Sequence, residues 1–265
     1  MLRRTLLAAL VGATTLTGAG FAAADTLEDI RTRGKILVGI DLNFPPFGTL
    51  DADLKPVGSD VAAAKMLAEH LGVDLEIVEL NGPNRVPYLL TSNVDVVISS
   101  FSITPERQEV IDFSYPYSAS ESSIMAPAEV NISTLEDLAG KRIGVVRGNL
   151  QDTLLVPIVP EGTQLVRFDD DASNVVALLS GQVVAIGASA ELLPSITQRA
   201  PDKNIERKLA IKIVPQGIGV RKEEPALLAA VNEFVLTNLE NGRLKETYAE
   251  NVGFPLADLS EYLPK

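Results

Sequence analysis

Apolar residues fall along this chain in short unbroken runs separated by amphipathic stretches, an alternation that predicts an α/β fold. Residues 26–33 read as a short helix capped by Thr26, and residues 35–40 (KILVGI) as a strand. Asp41-Leu42-Asn43-Phe44-Pro45-Pro46-Phe47 ends that strand, since its two prolines continue neither strand nor helix. Asp60 reads as the cap of a helix over residues 61–71. Gly72 closes it, and Ala63, Met66, Leu67 and Leu71 form its apolar stripe. Residues 73–80 (VDLEIVEL) predict a second strand and residues 84–90 a short helix.

The stretch from Val94 to Tyr117 organises the rest. Residues 94–98 are continuously apolar, as in a strand buried on both faces. The run stops at Ser99, Ser100 and Ser102. Thr104-Pro105-Glu106-Arg107 then reads as a helix start, with Thr as cap and Pro at the first helical position. A buried strand running into a helix N-terminus is where open α/β sheets place ligands. The helix end offers N–H groups, and Arg107 adds a planar fork suited to a carboxylate. The pattern points to an anion site; the plain alternative is a surface arginine beside turn serines.

After Tyr117 the pattern restarts. Residues 123–126 read as an extended connection, and Ser133-Thr134-Leu135-Glu136 as a capping box whose helix closes at Gly140. Residues 142–147 (RIGVVR) predict a strand that ends at Gly148-Asn149-Leu150-Gln151, where another helix begins. Strands at 163–167 and 183–186 flank a helix at 172–180, and 211–214 and 217–220 lead back. Pro225 opens a long helix on which Leu228, Val231, Val235 and Leu239 recur at helical spacing. Two similar α/β units follow, facing each other across a cleft, with the last helix returning to the first unit.

Composition narrows the class. Of 265 residues, 46% are apolar and 22% charged, an ordinary globular balance. Residues 1–24 have the form of a secretory signal peptide. Arg3 and Arg4 give a basic start, a small apolar run follows, and Ala22-Ala23-Ala24 fits a cleavage site. The mature chain is expected to begin at Asp25, as a soluble periplasmic protein. The chain contains no cysteine, which excludes disulfides, thiolate catalysis and lipid attachment through cysteine. Loss of Arg3 and Arg4 lowers the net charge of −12 by a further two, so neither nucleic acid nor anionic lipid is an expected partner. His70 is the only histidine and has no companion ligand, so neither a metal nor a catalytic role is expected. Asp169-Asp170-Asp171 lacks the alternation of a calcium loop and reads as a solvated loop. No catalytic motif and no cofactor site stands out, and Phe44 and Phe47 are either core plugs or cleft walls.

With these segments in order, the chain resembles the periplasmic solute-binding proteins of polar amino acid ABC transporters. These are the family 3 type, with lysine/arginine/ornithine-, histidine- and glutamine-binding members. The carriers are Val38-Gly-Ile-Asp41-Leu-Asn-Phe44-Pro-Pro-Phe47, Gly58-Ser-Asp60-Val-Ala, Val94-Asp95-Val-Val and Ser99-Ser-Phe-Ser-Ile-Thr104-Pro-Glu-Arg107. Phe113-Ser-Tyr-Pro-Tyr117, Leu138-Ala-Gly140-Lys-Arg-Ile-Gly144-Val and Asn241-Gly242 complete the set.

The resemblance implies a type II two-lobe fold with two hinge strands and a ligand cleft between the lobes. Lobe one would span 25–124 and 219–265, and lobe two 125–218. It implies a monomer that closes on a small ligand, an amino acid or related carboxylate, and delivers it to an inner-membrane ABC permease without turnover. It further implies that Arg107 pairs with the ligand carboxylate, that Ser100 and Ser102 bond its polar groups, and that Phe44 stacks on its side chain. Asp41 would face a cationic side chain, Phe47 would line the cleft, and Gln151 would close from the second lobe. Leu150 and Ser189 stand where the family often has Thr and Asp. An ammonium would then need Glu191 or another acid, or the ligand lacks a free amine. The alternative is an enzyme on the same scaffold, like the cyclohexadienyl dehydratases that resemble this family.

Overall fold

The computed structural model describes residues 26–253 and 255–264. The predicted signal peptide lies outside them. The chain opens with α1 (Thr26–Arg33) and β1 (Lys35–Ile40), then a small hairpin of β2 (Thr49–Leu50) and β3 (Pro56–Val57). There follow α2 (Ser59–Leu71), β4 (Asp74–Glu79), α3 (Arg85–Leu90), β5 (Val96–Val97) and α4 (Pro105–Gln108). A strand of 17 residues, β6 (Ile111–Pro127), leads to β7 (Arg142–Val146), α5 (Leu150–Leu155) and β8 (Gln164–Phe168). Next come α6 (Asp171–Leu179), β9 (Ala185–Ser189) and α7 (Leu193–Arg199). A second 17-residue strand, β10 (Ile205–Arg221), returns to α8 (Pro225–Glu240) and α9 (Arg243–Val252).

Eight strands form one sheet in the order β4-β1-β5-β10-β6-β9-β7-β8. Its two ends are parallel: β4, β1 and β5 at one, and β9, β7 and β8 at the other. The antiparallel pair β6 and β10 runs between them, so each long strand belongs to both halves. This is the two-lobe α/β fold with two hinge strands. The parallel strands read as apolar runs because helices cover both faces; Ile36, Val38, Ile40, Val96 and Val97 are fully buried.

In the first lobe, Val61 and Leu67 of α2 share a core with Leu227, Val231, Phe234 and Val235 of α8. The last long helix therefore packs on the first unit. In the second lobe, Ile143, Val145, Leu155 and Ala185 form one apolar cluster with Ile124 and Ala126 of β6.

Four local expectations need correction. Asp60 is not a cap: α2 starts at Ser59 after Gly58, whose φ of 121° suits glycine. Asp60 instead lies buried, 2% exposed, in the first turn. The residues from Ser133 to Glu136 form no capping box. Asp137 Oδ2 accepts from Ser133 N (2.8 Å) and Thr134 N (2.9 Å), and only a 3-10 turn over Glu136–Leu138 follows. The acidic run is no solvated loop, since Asp170 caps α6 by accepting from Ser173 N (2.7 Å) and Asp171 is 4% exposed. The pieces read at 211–214 and 217–220 belong to one strand, whose register shifts near Arg207, Lys212 and Gly217 broke the alternation.

Candidate functional site

The loop after β5 is held on the hinge. Ile103 N donates to Pro215 O (2.9 Å) and Gly217 N to Phe101 O (3.0 Å), so Ser100, Phe101 and Ser102 are all buried. Thr104 then caps α4 as its sequence predicted, accepting from Arg107 N. This fixes the base of the Arg107 side chain. Its Nη1 donates to Ser102 O at 2.8 Å and its Nη2 to Gly148 O, in the other lobe, at 2.9 Å. The guanidinium carbon sits 4.9 Å from the centre of the Phe101 ring, a cation–π distance. Burial first, then the charge of Arg85, lowers the Arg107 pKa against the pull of Glu106. Arg107 is still cationic at neutral pH.

Ser100 commits its hydroxyl to Asp60. Its Oγ donates to Asp60 Oδ2 (3.0 Å), and Tyr117 OH donates to Asp60 Oδ1 (2.7 Å). Burial raises the Asp60 pKa to about 6 against these two bonds. The backbone of Ser100 has φ of 43°, a strained value for a serine and one set close to the site.

A second guanidinium shares the cleft, and sequence reasoning missed it. Arg85, at the first position of α3, is 3% exposed. Its Nε donates to Ser99 Oγ (3.2 Å) and its Nη1 to Asn149 Oδ1 (2.9 Å), again across the lobes. Its Nη2 lies 3.9 Å from Asp41 Oδ2, and neither atom has a hydrogen-bond partner. Asp41 is 2% exposed; its other oxygen accepts from Asn43 N (3.0 Å), and burial raises its pKa against the attraction of Arg85. Asn149 Nδ2 donates to Asp171 Oδ2 at 3.4 Å. Burial, with the charge of Asp41 added, lifts the Asp171 pKa to about 7. One signal could have pointed to Arg85: a cation at the first helical position works against the helix dipole.

Of the two roles read for them, Phe44 and Phe47 fill that of core plugs. Their rings are 4.9 Å apart, and both sit in an apolar cluster with Val175, Leu178, Leu192 and Ile196 from the second lobe. They plug the seam between the lobes. Gln151 and Ser189 meet on the second lobe, with Gln151 Nε2 donating to Ser189 Oγ at 3.5 Å. Glu191 stays apart from Arg107. Its carboxylate accepts from Ser120 Oγ (2.8 Å) and Glu121 N (3.2 Å) on the hinge, and burial raises its pKa. The acid that the second lobe does bring to the cluster is Asp171. A cavity of about 680 Å³ beside the hinge, lined by Glu191, Leu193 and Tyr248, shares none of these cleft residues. The candidate site is thus defined by charge and hydrogen bonding rather than by size.

Comparison with known proteins agrees with this architecture. The family "Bacterial extracellular solute-binding proteins, family 3" matches residues 36–254. The L-cystine-binding protein TcyJ of Escherichia coli (strain K12) is 30% identical over 227 residues, which cover 85% of each chain. Among solved structures, a mutant of ArgBP from T. maritima superposes with a TM-score of 0.80 at 30% identity, covering 86% of this chain and 99% of that one. AncCDT-1, an ancestral amino acid-binding protein and precursor of cyclohexadienyl dehydratase, gives 0.76 at 28% identity, covering 86% and 99%.

Proposed function

This chain belongs to family 3 of the bacterial extracellular solute-binding proteins, and from that premise we propose that it captures an amino acid or related carboxylate by closing its cleft. In this reading it works in the periplasm as a monomer and hands the ligand, unchanged, to an inner-membrane ABC permease. No helix among the described residues is long and apolar enough to cross a membrane. The lobes would comprise residues 25–124 with 219–265, and 125–218, with both crossings inside β6 and β10.

One observation carries the reading: the Arg107 guanidinium bonds Ser102 O on one lobe and Gly148 O on the other. Two of its five N–H donors are engaged there, which leaves capacity for a carboxylate. A ligand held by this group touches both lobes through it, so binding and closure are one event. Ser102 and Gln151 are the proposed polar neighbours, with Phe44 and Phe47 as walls and Ser189 on the far side.

A second reading is an enzyme, and Asp171 favours it. A cleft carboxyl with a pKa of about 7 is suited to donating a proton. Consumption of prephenate or arogenate by the purified protein would establish that reading.

The test of the first is a thermal-shift screen on mature protein, unfolded and refolded to strip bound ligand. A ligand at about 100 times its Kd stabilises by roughly 2.7 kcal/mol. A shift is expected with one or more amino acids, amino acid derivatives or simple carboxylates, and Arg107→Ala should abolish it. If no compound of these classes shifts the transition, the proposal fails.

A further inference from the structure

We infer that Arg85, Asp41 and Asp171 form a second polar subsite in the cleft, one that takes a zwitterionic head, so the ligand carries a carboxylate for Arg107 at one end and an α-amino-acid group at the other. The inference rests on the reading of Arg107 as the holder of the first carboxylate.

Three observations carry it. Arg85 Nη2 and Asp41 Oδ2 are buried, face each other at 3.9 Å and have no hydrogen-bond partner. That spacing is too long for a hydrogen bond, and a buried charged donor or acceptor without one is costly. The unmet donor calls for an anionic oxygen and the unmet acceptor for a cationic N–H. An α-amino-acid head supplies both.

Charge balance gives the same answer. Arg85 faces Asp41 from the end of β1 and Asp171 from α6, with Asp170 and Glu79 adding weaker negative fields. A lone carboxylate placed here would sit beside Asp41 and Asp171, and a lone ammonium beside Arg85. Either brings like charges together away from water. A zwitterion adds no net charge and pairs with both signs.

Position supplies the third argument. The guanidinium carbons of Arg107 and Arg85 lie 4.9 and 5.8 Å from the centre of the same Phe101 ring. Their separation cannot exceed those distances combined, a gap that a linker of a few bonds between the carboxylate and the α-amino-acid group spans. The subsite also draws on both lobes, with Asp41 and Arg85 from one and Asn149 and Asp171 from the other. Its occupant would be gripped as the cleft shuts. The competing view is a purely structural ion pair, indifferent to the far end of the ligand.

Calorimetry on refolded mature protein separates the two. The two-headed probes are lanthionine, cystathionine and meso-diaminopimelate. The one-headed controls are lysine, with a distal ammonium only, and norleucine, with no distal charge. At least one two-headed probe should bind about tenfold or more tightly than every control. In Arg85→Gln and in Asp41→Asn, that advantage over norleucine should shrink below about threefold. The wild-type series tests the inference even if a variant fails to fold. If lysine or norleucine binds as tightly as the best two-headed probe, the subsite is refuted. An advantage that survives in both folded variants refutes it as well. Controls that bind through Arg107 without any two-headed preference refute this subsite alone. Absence of binding by every two-headed probe, with a thermal shift from some other amino acid or carboxylate, refutes the subsite and leaves the Arg107 reading standing, whereas absence of any such shift as well refutes both.

Discussion

Replacing Arg107 by alanine is the sharpest probe of the cleft, because one side chain performs three jobs. It bonds Ser102 O at 2.8 Å, reaches Gly148 O across the lobes at 2.9 Å, and in the proposed reading carries the charge offered to the ligand. Truncating one partner of a buried, hydrogen-bonded charge pair costs about 2–5 kcal/mol of binding, a rise in Kd of roughly thirtyfold to several thousandfold. The bond to Gly148 O adds about 1.5–3 kcal/mol to the closed state, as hydrogen bonds from charged donors do. The variant should therefore bind weakly and also close less completely. Arg107→Lys keeps the charge but not the fork, so it should recover only part of the affinity.

Titration gives an independent check on the same residue. Burial and the charge of Arg85 lower the Arg107 pKa, but a guanidinium keeps its proton at every accessible pH, so the contribution of Arg107 to carboxylate affinity should stay flat from neutral pH into the alkaline range. Calorimetry across pH, with circular dichroism to verify the fold, measures both effects. A folded Arg107→Ala protein that binds within about threefold of wild type would falsify the reasoning.

Other residues give further expected outcomes. Gly58→Ala should destabilise the protein by about 2–4 kcal/mol in urea, since φ is 121° and an added Cβ would meet Phe47 O at 2.3 Å; no change in the urea midpoint would contradict the geometry. Asp171→Asn should stabilise at pH 8 by at most about 4 kcal/mol, a gain that disappears toward pH 4. A carboxyl whose folded pKa is raised from 3.8 to about 7 favours folding only while protonated, and that contribution is lost as pH rises through the window. Tyr117→Phe removes the 2.7 Å bond to Asp60 and should cost about 1.5–3 kcal/mol at pH 8, and less below the Asp60 pKa of about 6, where the acceptor is neutral. Small-angle scattering should show refolded, ligand-stripped protein with a larger radius of gyration than the liganded form; equal radii would rule out coupled closure.

What the sequence revealed depended on whether a residue's task was local. The cap at Thr104 and the arginine three residues on are local, and so is the helical spacing of α8; all were readable. The hinge was half legible, because β10 carries Lys208, Lys212 and Pro215 and breaks register four times, so its alternation dissolves into fragments. Arg85 was missed because its partners are Ser99, fourteen residues on, and Asn149, sixty-four residues on, and its unfavourable place at the start of α3 is the one local sign that sets it apart from a surface charge. Asp171 was misread for a related reason. Three consecutive acids look solvated as a run, but the helix start separates them: Asp170 spends its side chain on a cap, and the next residue points into the seam. Asp60 was given a cap's role that Gly58 fills, because the backbone there must pass close to the Phe47 carbonyl.

These distant contacts also explain why closure and binding should be inseparable. The polar contacts between lobes at the cleft are made by Arg107 and Arg85, the groups proposed to bind the ligand. Arg85 Nη2 and Asp41 Oδ2 lie buried and face each other at 3.9 Å, an ion pair with no hydrogen bond to either atom. A buried charge pair without hydrogen bonds is poorly compensated for its lost hydration, so in the proposed reading it opposes closure of the unliganded protein. Phe44 and Phe47 act the other way, since their seam with Val175 and Leu192 favours closure whatever the cleft holds. The equilibrium is then set by a difference between an apolar seam that always favours closing and a polar cluster that favours it only when its partners arrive. A ligand shifts such an equilibrium by as much as it prefers the closed form, and here that preference is concentrated in the charges it brings to Arg107, Arg85 and Asp41.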